Sequence, residues 1–155
     1  MTTAPPRLGT EPPDFVLKNQ HGEDVRLSGL RGRTVVVVFY PFAFSGVCTG
    51  EMCDLRDNLA VFEDASAELL AVSCDPVYAL RAWSDAERFG FSLLSDFWPH
   101  GAVASAYGVF NPERGCALRG TFVIDRDGVL RWSVLNGMPD ARNLEEYKKA
   151  LAALT

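Results

Sequence analysis

The segment from Tyr40 to Cys48 has the residue types and the spacing to present a reactive thiol. Its cysteine follows an apolar run, Val35–Phe39, that is typical of a buried strand, and it precedes a helical pattern. In the first turn of a helix, free N–H groups and the positive end of the helix dipole stabilise thiolate over thiol. An ordinary thiol with a pKa of about 8.5 is only about 3% thiolate at pH 7. The segment therefore predicts that Cys48 is a nucleophile.

Two further residues stand at fixed offsets before this cysteine, in the pattern Pro41-x-x-x-Ser45-x-x-Cys48. Pro41 lacks an N–H and has a fixed backbone, so it can shield the sulfur from water. Ser45 is the expected N-cap of the helix, with its hydroxyl in reach of the thiolate. This spacing closely resembles the active-site motif of the peroxiredoxins, most of which carry threonine where Ser45 stands. Pro41 as a strand end and Ser45 as a cap alone are the plainer alternatives.

The resemblance to peroxiredoxins covers nearly the whole chain. Pro13–Phe15 with Leu27–Gly32 is similar to the family's N-terminal hairpin, and Arg119–Asp125 is similar to the strand that carries its second active-site arginine. Leu94–His100 resembles the alkyl hydroperoxide reductase E group in particular. The resemblance implies a thiol-dependent peroxidase that reduces hydrogen peroxide and organic hydroperoxides, with peroxynitrite as a further candidate.

The implied chemistry is attack by the Cys48 thiolate on the peroxide O–O bond, which leaves a sulfenic acid and releases water or an alcohol. Arg119 matches the family's arginine and would supply a permanent positive charge with planar donors. Glu51 matches an acidic position common in the family. Because a nearby carboxylate disfavours the thiolate, we expect Glu51 to pair with Arg119 or Arg31; an ordinary first-turn acid, favoured by the helix dipole, is the alternative.

Cys53 lies five residues beyond Cys48, the offset at which the peroxiredoxin Q (bacterioferritin-comigratory) group carries its resolving cysteine. The alkyl hydroperoxide reductase E group is usually described as lacking a resolver, so resolution by Cys53 and by an external thiol both stay open. Across an intact helix the two Cα atoms would lie about 8.6 Å apart, whereas a disulfide needs about 4.4–6.8 Å. A bridge therefore requires the first turn to unwind, which Gly50 makes easier.

The remaining cysteines and the two histidines carry weaker signals. Cys74 ends an apolar strand and is expected to be a buried small residue. Cys116 lies in a loop-like stretch three residues before Arg119 and is a less favoured candidate for a distal resolver. His21, His100 and the C-x4-C pattern do not match zinc spacings, so no metal site is expected. Neither a phosphate loop nor a dinucleotide fingerprint occurs, and the resemblance implies no cofactor.

The elements that would position this site follow the order βαβ, then helices, then ββα. Cys48, Met52, Leu55, Leu59 and Phe62 recur at steps of three and four, which predicts the buried face of one helix. Strands are expected at 15–17, 24–27, 35–40, 68–73, 121–124 and 129–133, and helices near 79–86 and 101–107, with a closing helix through Leu144, Tyr147, Leu151 and Leu154. We expect one thioredoxin-like α/β domain over 1–155, with a central mixed sheet flanked by helices and an N-terminal hairpin extension. Phe39, Tyr40, Phe42 and Phe44 are expected to form an aromatic lip over the sulfur that admits alkyl hydroperoxides.

Composition limits the function classes. The chain has 155 residues, 48% of them hydrophobic, and a net charge of −5, which argues against nucleic-acid binding. No apolar run approaches the ~18–20 residues of a membrane span, and the N-terminus lacks the pattern of a signal peptide. Four cysteines in such a chain point to a reducing compartment, so the cytoplasm is the expected location.

Two functions other than a peroxidase would also use a reactive cysteine. A thiol–disulfide oxidoreductase of the same fold would carry C-x-x-C after the first strand, which this chain lacks. A peroxide-sensing switch or holdase that uses Cys48 would consume peroxide slowly and would release a partner on oxidation. The expected reductant is thioredoxin, a glutaredoxin-like (mycoredoxin-type) protein or a low-molecular-weight thiol, and the expected state is a homodimer or a monomer.

Overall fold

A seven-stranded mixed sheet forms the centre of the computed structural model, which describes residues 4–136 and 149–154. Its strands are β1 (Val16–Lys18), β2 (Asp24–Arg26), β3 (Thr34–Phe39), β4 (Ala67–Ser73), β5 (Ser92–Ser95), β8 (Arg119–Ile124) and β9 (Leu130–Asn136). They lie in the order β2-β1-β5-β4-β3-β8-β9, with β3, β4 and β5 parallel and the other pairs antiparallel. Two short strands, β6 (Phe110–Asn111) and β7 (Cys116–Ala117), pair separately.

Helices cover both faces of this sheet. They are α1 (Gly46–Asp57), α2 (Leu59–Asp64), α3 (Val77–Glu87) and α4 (Ala102–Ala106), and a short 3-10 helix spans Leu27–Leu30. Every residue of β3 is buried, because one face packs on α1, α2 and α3 and the other faces α4 and the N-terminal hairpin. The mixed sheet between helices and the β1–β2 hairpin confirm the predicted α/β architecture.

The sequence predicts a single helix through Phe62, and this prediction is wrong. The helix is interrupted at Asn58, so α1 and α2 are separate helices. The Asn58 backbone N–H and side-chain amide both donate to the Asp54 carbonyl, which ends α1. Cys48, Met52, Leu55 and Phe62 are buried nonetheless, while Leu59 is half-buried.

Two parts of the prediction differ further from the structure. Strand β5 was not predicted, although it pairs with β4 and carries β1 on its other side. Leu144 and Tyr147 of the expected closing helix lie outside the described residues, whereas 149–152 are helical and Leu151 packs in the core. Among the described helices, none has both the length and the apolar character to cross a bilayer.

Candidate active site

Cys48 lies in the first turn of α1, directly after the loop that leaves the central strand β3. The thiol is fully buried. Ser45 has extended backbone angles and caps the helix, since its Oγ accepts a hydrogen bond from the Cys48 N–H at 3.3 Å. Pro41 is buried at the start of the same loop. The local spacing thus builds the cap and the position of the thiol that the sequence predicts.

Arg119 reaches the same point from the neighbouring strand. It begins β8, which pairs with β3 so that the adjacent Gly120 lies opposite Phe39. The Arg119 Nη2 donates to the Cys48 Sγ at 3.3 Å, and Arg119 as a whole residue is 2% exposed. A permanent positive charge therefore contacts the sulfur where little water screens it.

Glu51 neutralises part of this charge. Its Oε1 accepts a hydrogen bond from Arg119 Nη1, and both side chains are buried. Of the two arginines considered from the sequence, Arg31 lies elsewhere: it donates to the Asp127 carbonyl at 2.9 Å and pairs with Glu11. A buried ion pair restrains the guanidinium plane, so Glu51 orients Arg119 toward the sulfur.

Asp75 anchors the loop between β3 and α1, a function that sequence reasoning missed. Its Oδ2 accepts the Ala43 N–H at 2.8 Å and the Ser73 hydroxyl at 2.7 Å. Asp75 follows the carboxyl end of β4, which is parallel to β3, so both strands deliver their ends to one edge of the sheet. A carboxylate directly after a buried strand was the available signal.

The predicted aromatic lip is only half present. Phe39 packs against Tyr107 and Phe122 on the far face of the sheet, and Tyr40 is buried beside Trp83. Successive strand residues point to opposite faces, so Phe39 cannot share the face of its neighbour. The two loop aromatics differ: Phe42 is half-buried beneath the guanidinium of Arg114, and Phe44 is 57% exposed with a left-handed φ of 69°.

Cys53 lies on the flank of α1, half-buried, and is not bonded to Cys48. Its thiol donates to the Glu87 Oε2 at 3.4 Å. Burial and the Glu87 carboxylate both raise the pKa of Cys53, which keeps it a thiol in the folded helix.

The other two cysteines are also buried, and burial disfavours the thiolate of each. Burial raises the pKa of Cys74 to about 12, and burial also raises the pKa of Cys116. Within residues 4–136 and 149–154, no group of three or more His, Cys, Asp or Glu side chains is arranged to hold a metal ion.

A family model described as the AhpC/TSA family matches residues 8–133 of the chain. Alkyl hydroperoxide reductase E of Mycobacterium tuberculosis strain H37Rv is 46% identical over 149 residues, which cover 96% of this chain and 97% of that protein. The chloroplastic 2-Cys peroxiredoxin BAS1 of Hordeum vulgare is 34% identical, with 96% of this chain and 75% of that protein covered.

The solved structures agree with these sequence matches. The crystal structure of peroxidoxin BcpB from Mycobacterium tuberculosis superposes with a TM-score of 0.86 at 32% identity, covering 96% of this chain and 98% of that one. Such a superposition over nearly the whole of both chains confirms the thioredoxin-like fold predicted from the sequence.

Proposed function

The chain belongs to the AhpC/TSA family of peroxiredoxins, and we propose that it reduces peroxides at Cys48, with Arg119, Ser45 and Pro41 as the surrounding site. It is a thiol-dependent peroxidase, as its relatives and family indicate. The assignment of Cys48 rests on one observation: this thiol, in the first turn of a helix, lies 3.3 Å from the guanidinium nitrogen of the buried Arg119.

In the proposed reaction, the Cys48 thiolate attacks the distal oxygen of a hydroperoxide. A new S–O bond forms as the O–O bond breaks, and the leaving oxygen takes a proton to become water or an alcohol. Sulfur is oxidised to a sulfenic acid and the peroxide is reduced. The Arg119 guanidinium stabilises the thiolate and the negative charge that develops on the departing oxygen.

Ser45 and Pro41 complete the site. Because the Ser45 oxygen already accepts the Cys48 N–H, its own hydrogen is directed away from that bond and can donate to a peroxide oxygen. Pro41 presents no N–H and is buried at the start of the loop, and its proposed role is to shield the sulfur from water. Glu51 acts through Arg119 as a positioning residue.

Organic hydroperoxides are proposed substrates beside hydrogen peroxide. Phe44 is 57% and Val47 44% exposed in the segment that immediately precedes the buried thiol, so this segment presents apolar surface to the solvent. An alkyl group can bury part of this surface when the peroxide binds. Equal rate constants for hydrogen peroxide and a long-chain hydroperoxide would contradict a contribution of this apolar surface to substrate binding.

The sulfenic acid must then be reduced. We propose that Cys53 forms a disulfide with Cys48, and that thioredoxin, a glutaredoxin-like protein or a low-molecular-weight thiol restores both thiols. We also propose that the protein forms one domain over residues 1–155, that it is a monomer or a dimer, and that it lies in the cytoplasm.

Peroxide consumption with dithiothreitol as reductant tests the assignment of Cys48. Cys48→Ser is expected to lose turnover, while Cys74→Ala, which changes a buried cysteine outside the site, is expected to keep it. Stoichiometric consumption without turnover would favour a peroxide-sensing switch instead. Full activity of Cys48→Ser would contradict the proposal.

A further inference from the structure

Glu87 joins the resolving cysteine to a different helix. It is the last residue of α3, and its Oε2 accepts the Cys53 thiol hydrogen from α1 at 3.4 Å. The carboxylate is about one-third exposed, so it is partly withdrawn from water. This contact links the helix that must unwind for resolution to a helix that packs independently on the sheet.

Arg56 holds Glu87 in this position. Its Nη1 donates to the Glu87 carbonyl at 2.7 Å and lies 3.6 Å from Oε2, one turn of α1 beyond Cys53. Its Nε and Nη2 contact the Asp57 carboxylate at 2.9 and 3.4 Å. A side chain bound by a backbone carbonyl and two carboxylates has little freedom, so the Glu87 oxygen stays directed at the thiol.

The groups around Cys53 shift the pKa of its thiol in opposite directions. Burial and the carboxylates of Glu87 and Asp57 disfavour its thiolate, whereas the guanidinium of Arg56 favours it. Burial and the Glu87 hydrogen bond are the largest contributions, and both raise the pKa. As a thiol, Cys53 neither attacks sulfur nor reacts with peroxide at an appreciable rate.

Reaching Cys48 requires Cys53 to leave this environment. Across continuous α1 their Cα atoms are about 8.6 Å apart, and a disulfide tolerates about 6.8 Å at most. We expect the Cys53–Glu87 hydrogen bond to break when the turn around Gly50 unwinds and the Cys53 thiol moves to the sulfur of Cys48. Loss of that contact removes a barrier to deprotonation at the moment the thiol can reach the sulfenic sulfur.

We propose that Glu87 is a positioning residue that holds Cys53 on folded α1 as a thiol and thereby delays its attack on the Cys48 sulfenic acid. The inference rests on the proposed function of Cys48. In the step concerned, the Cys53 sulfur bonds to the Cys48 sulfur as the S–O bond breaks. The hydroxyl departs with the Cys53 proton as water, Cys53 is oxidised and the sulfenic sulfur is reduced.

The test compares Glu87→Gln with Glu68→Gln, a matched control. The Glu68 side chain is exposed to a similar degree and also pairs with an arginine, Arg33, at 2.8 Å. It lies on β4, and among the described residues it forms no hydrogen bond with Cys48 or Cys53. One equivalent of hydrogen peroxide is added, and acid-quenched samples are followed by intact mass. The conversion of sulfenic acid to disulfide is expected to be about three-fold faster in Glu87→Gln than in wild type, and unchanged in Glu68→Gln.

A second readout separates this role from a general loosening of the fold. In a Cys48→Ser background, the pH midpoint for alkylation of Cys53 by iodoacetamide is expected to fall when Glu87→Gln is added. A slower disulfide step in Glu87→Gln, or unchanged rate and midpoint, would overturn the inference. A wild-type sulfenic acid that never bridges to Cys53 would overturn it while leaving the peroxidase proposal intact. Absence of any Cys48 sulfenic acid would instead mean that the proposed function has failed.

Discussion

The guanidinium of Arg119 donates from Nη2 to the Cys48 sulfur over 3.3 Å, while its Nη1 contacts Glu51. One cation therefore serves both the nucleophile and a buried carboxylate. The arrangement places the positive charge beside the sulfur before any peroxide enters, so the site needs little reorganisation during the reaction.

Removing Arg119 is expected to slow the first chemical step. Arg119→Met would lower the second-order rate constant for sulfenic acid formation on the order of 100-fold, because the thiolate and the leaving oxygen lose their cation. The double variant Arg119→Met/Glu51→Gln avoids an unpaired buried carboxylate and is expected to be equally slow. Arg33→Met, which removes an exposed paired arginine, is the control in single-turnover kinetics.

Substitutions of Ser45 separate helix capping from catalysis. Ser45→Ala loses the bond to the Cys48 N–H and is expected to reduce the free energy of unfolding by about 1 kcal/mol, together with the peroxide rate. Ser45→Thr keeps the hydroxyl and should restore both. Urea unfolding and peroxide kinetics measure the two effects; an Ala variant with wild-type kinetics would limit Ser45 to a cap.

Asp75 is expected to affect the rate of peroxide reduction without contacting the reacting atoms, because it anchors the loop before α1. Asp75→Ala releases the Ala43 N–H and lets the loop before α1 move, which should cost on the order of ten- to hundred-fold in rate. Ser73→Ala removes the hydroxyl that donates to Asp75 Oδ2 and accepts the Asp75 N–H at 3.4 Å, but it leaves the contact between Asp75 and Ala43. Its rate should therefore stay close to that of the wild type. Equal losses in both variants would contradict a specific role of the loop contact.

The site that contains Cys48 follows largely from local spacing. Ser45 lies three residues before the thiol and caps the helix that carries it, a relationship within one turn that the pattern itself encodes. The partner of Glu51 could only be narrowed to two arginines, because the choice depends on β8 lying beside β3. Contacts between elements distant in sequence, such as Cys53 with Glu87, leave no local signal at all.

Three features of the fold could not be predicted from the sequence, because they also depend on contacts between distant elements or have no distinct local pattern. Strand β5 is four residues long and owes its place to pairing with β4 and β1, so its own pattern is weak. The break at Asn58 does not interrupt the apolar period that continues into α2, which is why one helix was expected. Since β3 is apolar on both faces, alternation could not tell that Phe39 faces away from the site.

The buried carboxyl group of Asp96 is expected to make the stability of the fold depend on pH. Its carboxylate is almost fully buried and accepts the N–H groups of Val103 at 3.1 Å and Ala104 at 2.8 Å, and burial raises its pKa to about 6. Because the folded pKa lies above the unfolded value, the native state binds more protons between about pH 4 and pH 6. This group's contribution to stability therefore falls as the pH rises through that window, by about 2 kcal/mol.

Asp96→Asn removes this titration. The difference in unfolding free energy between wild type and variant should change with pH between about 4 and 6 and be constant above about 7. Subtracting the two curves cancels the opposite contributions of Asp14 and Asp125, whose pKa values are lowered by hydrogen bonds and nearby arginines. A difference that does not vary with pH would contradict a raised Asp96 pKa.

The most direct measurement for the central claim is the mass of the Cys53→Ser protein after one equivalent of hydrogen peroxide, followed by peptide mapping. Without the resolving thiol, the protein is predicted to gain one oxygen, carried by the peptide that contains Cys48. Oxygen on the peptides of Cys74 or Cys116, with Cys48 unmodified, would contradict the assignment of Cys48 as the peroxide-reducing residue.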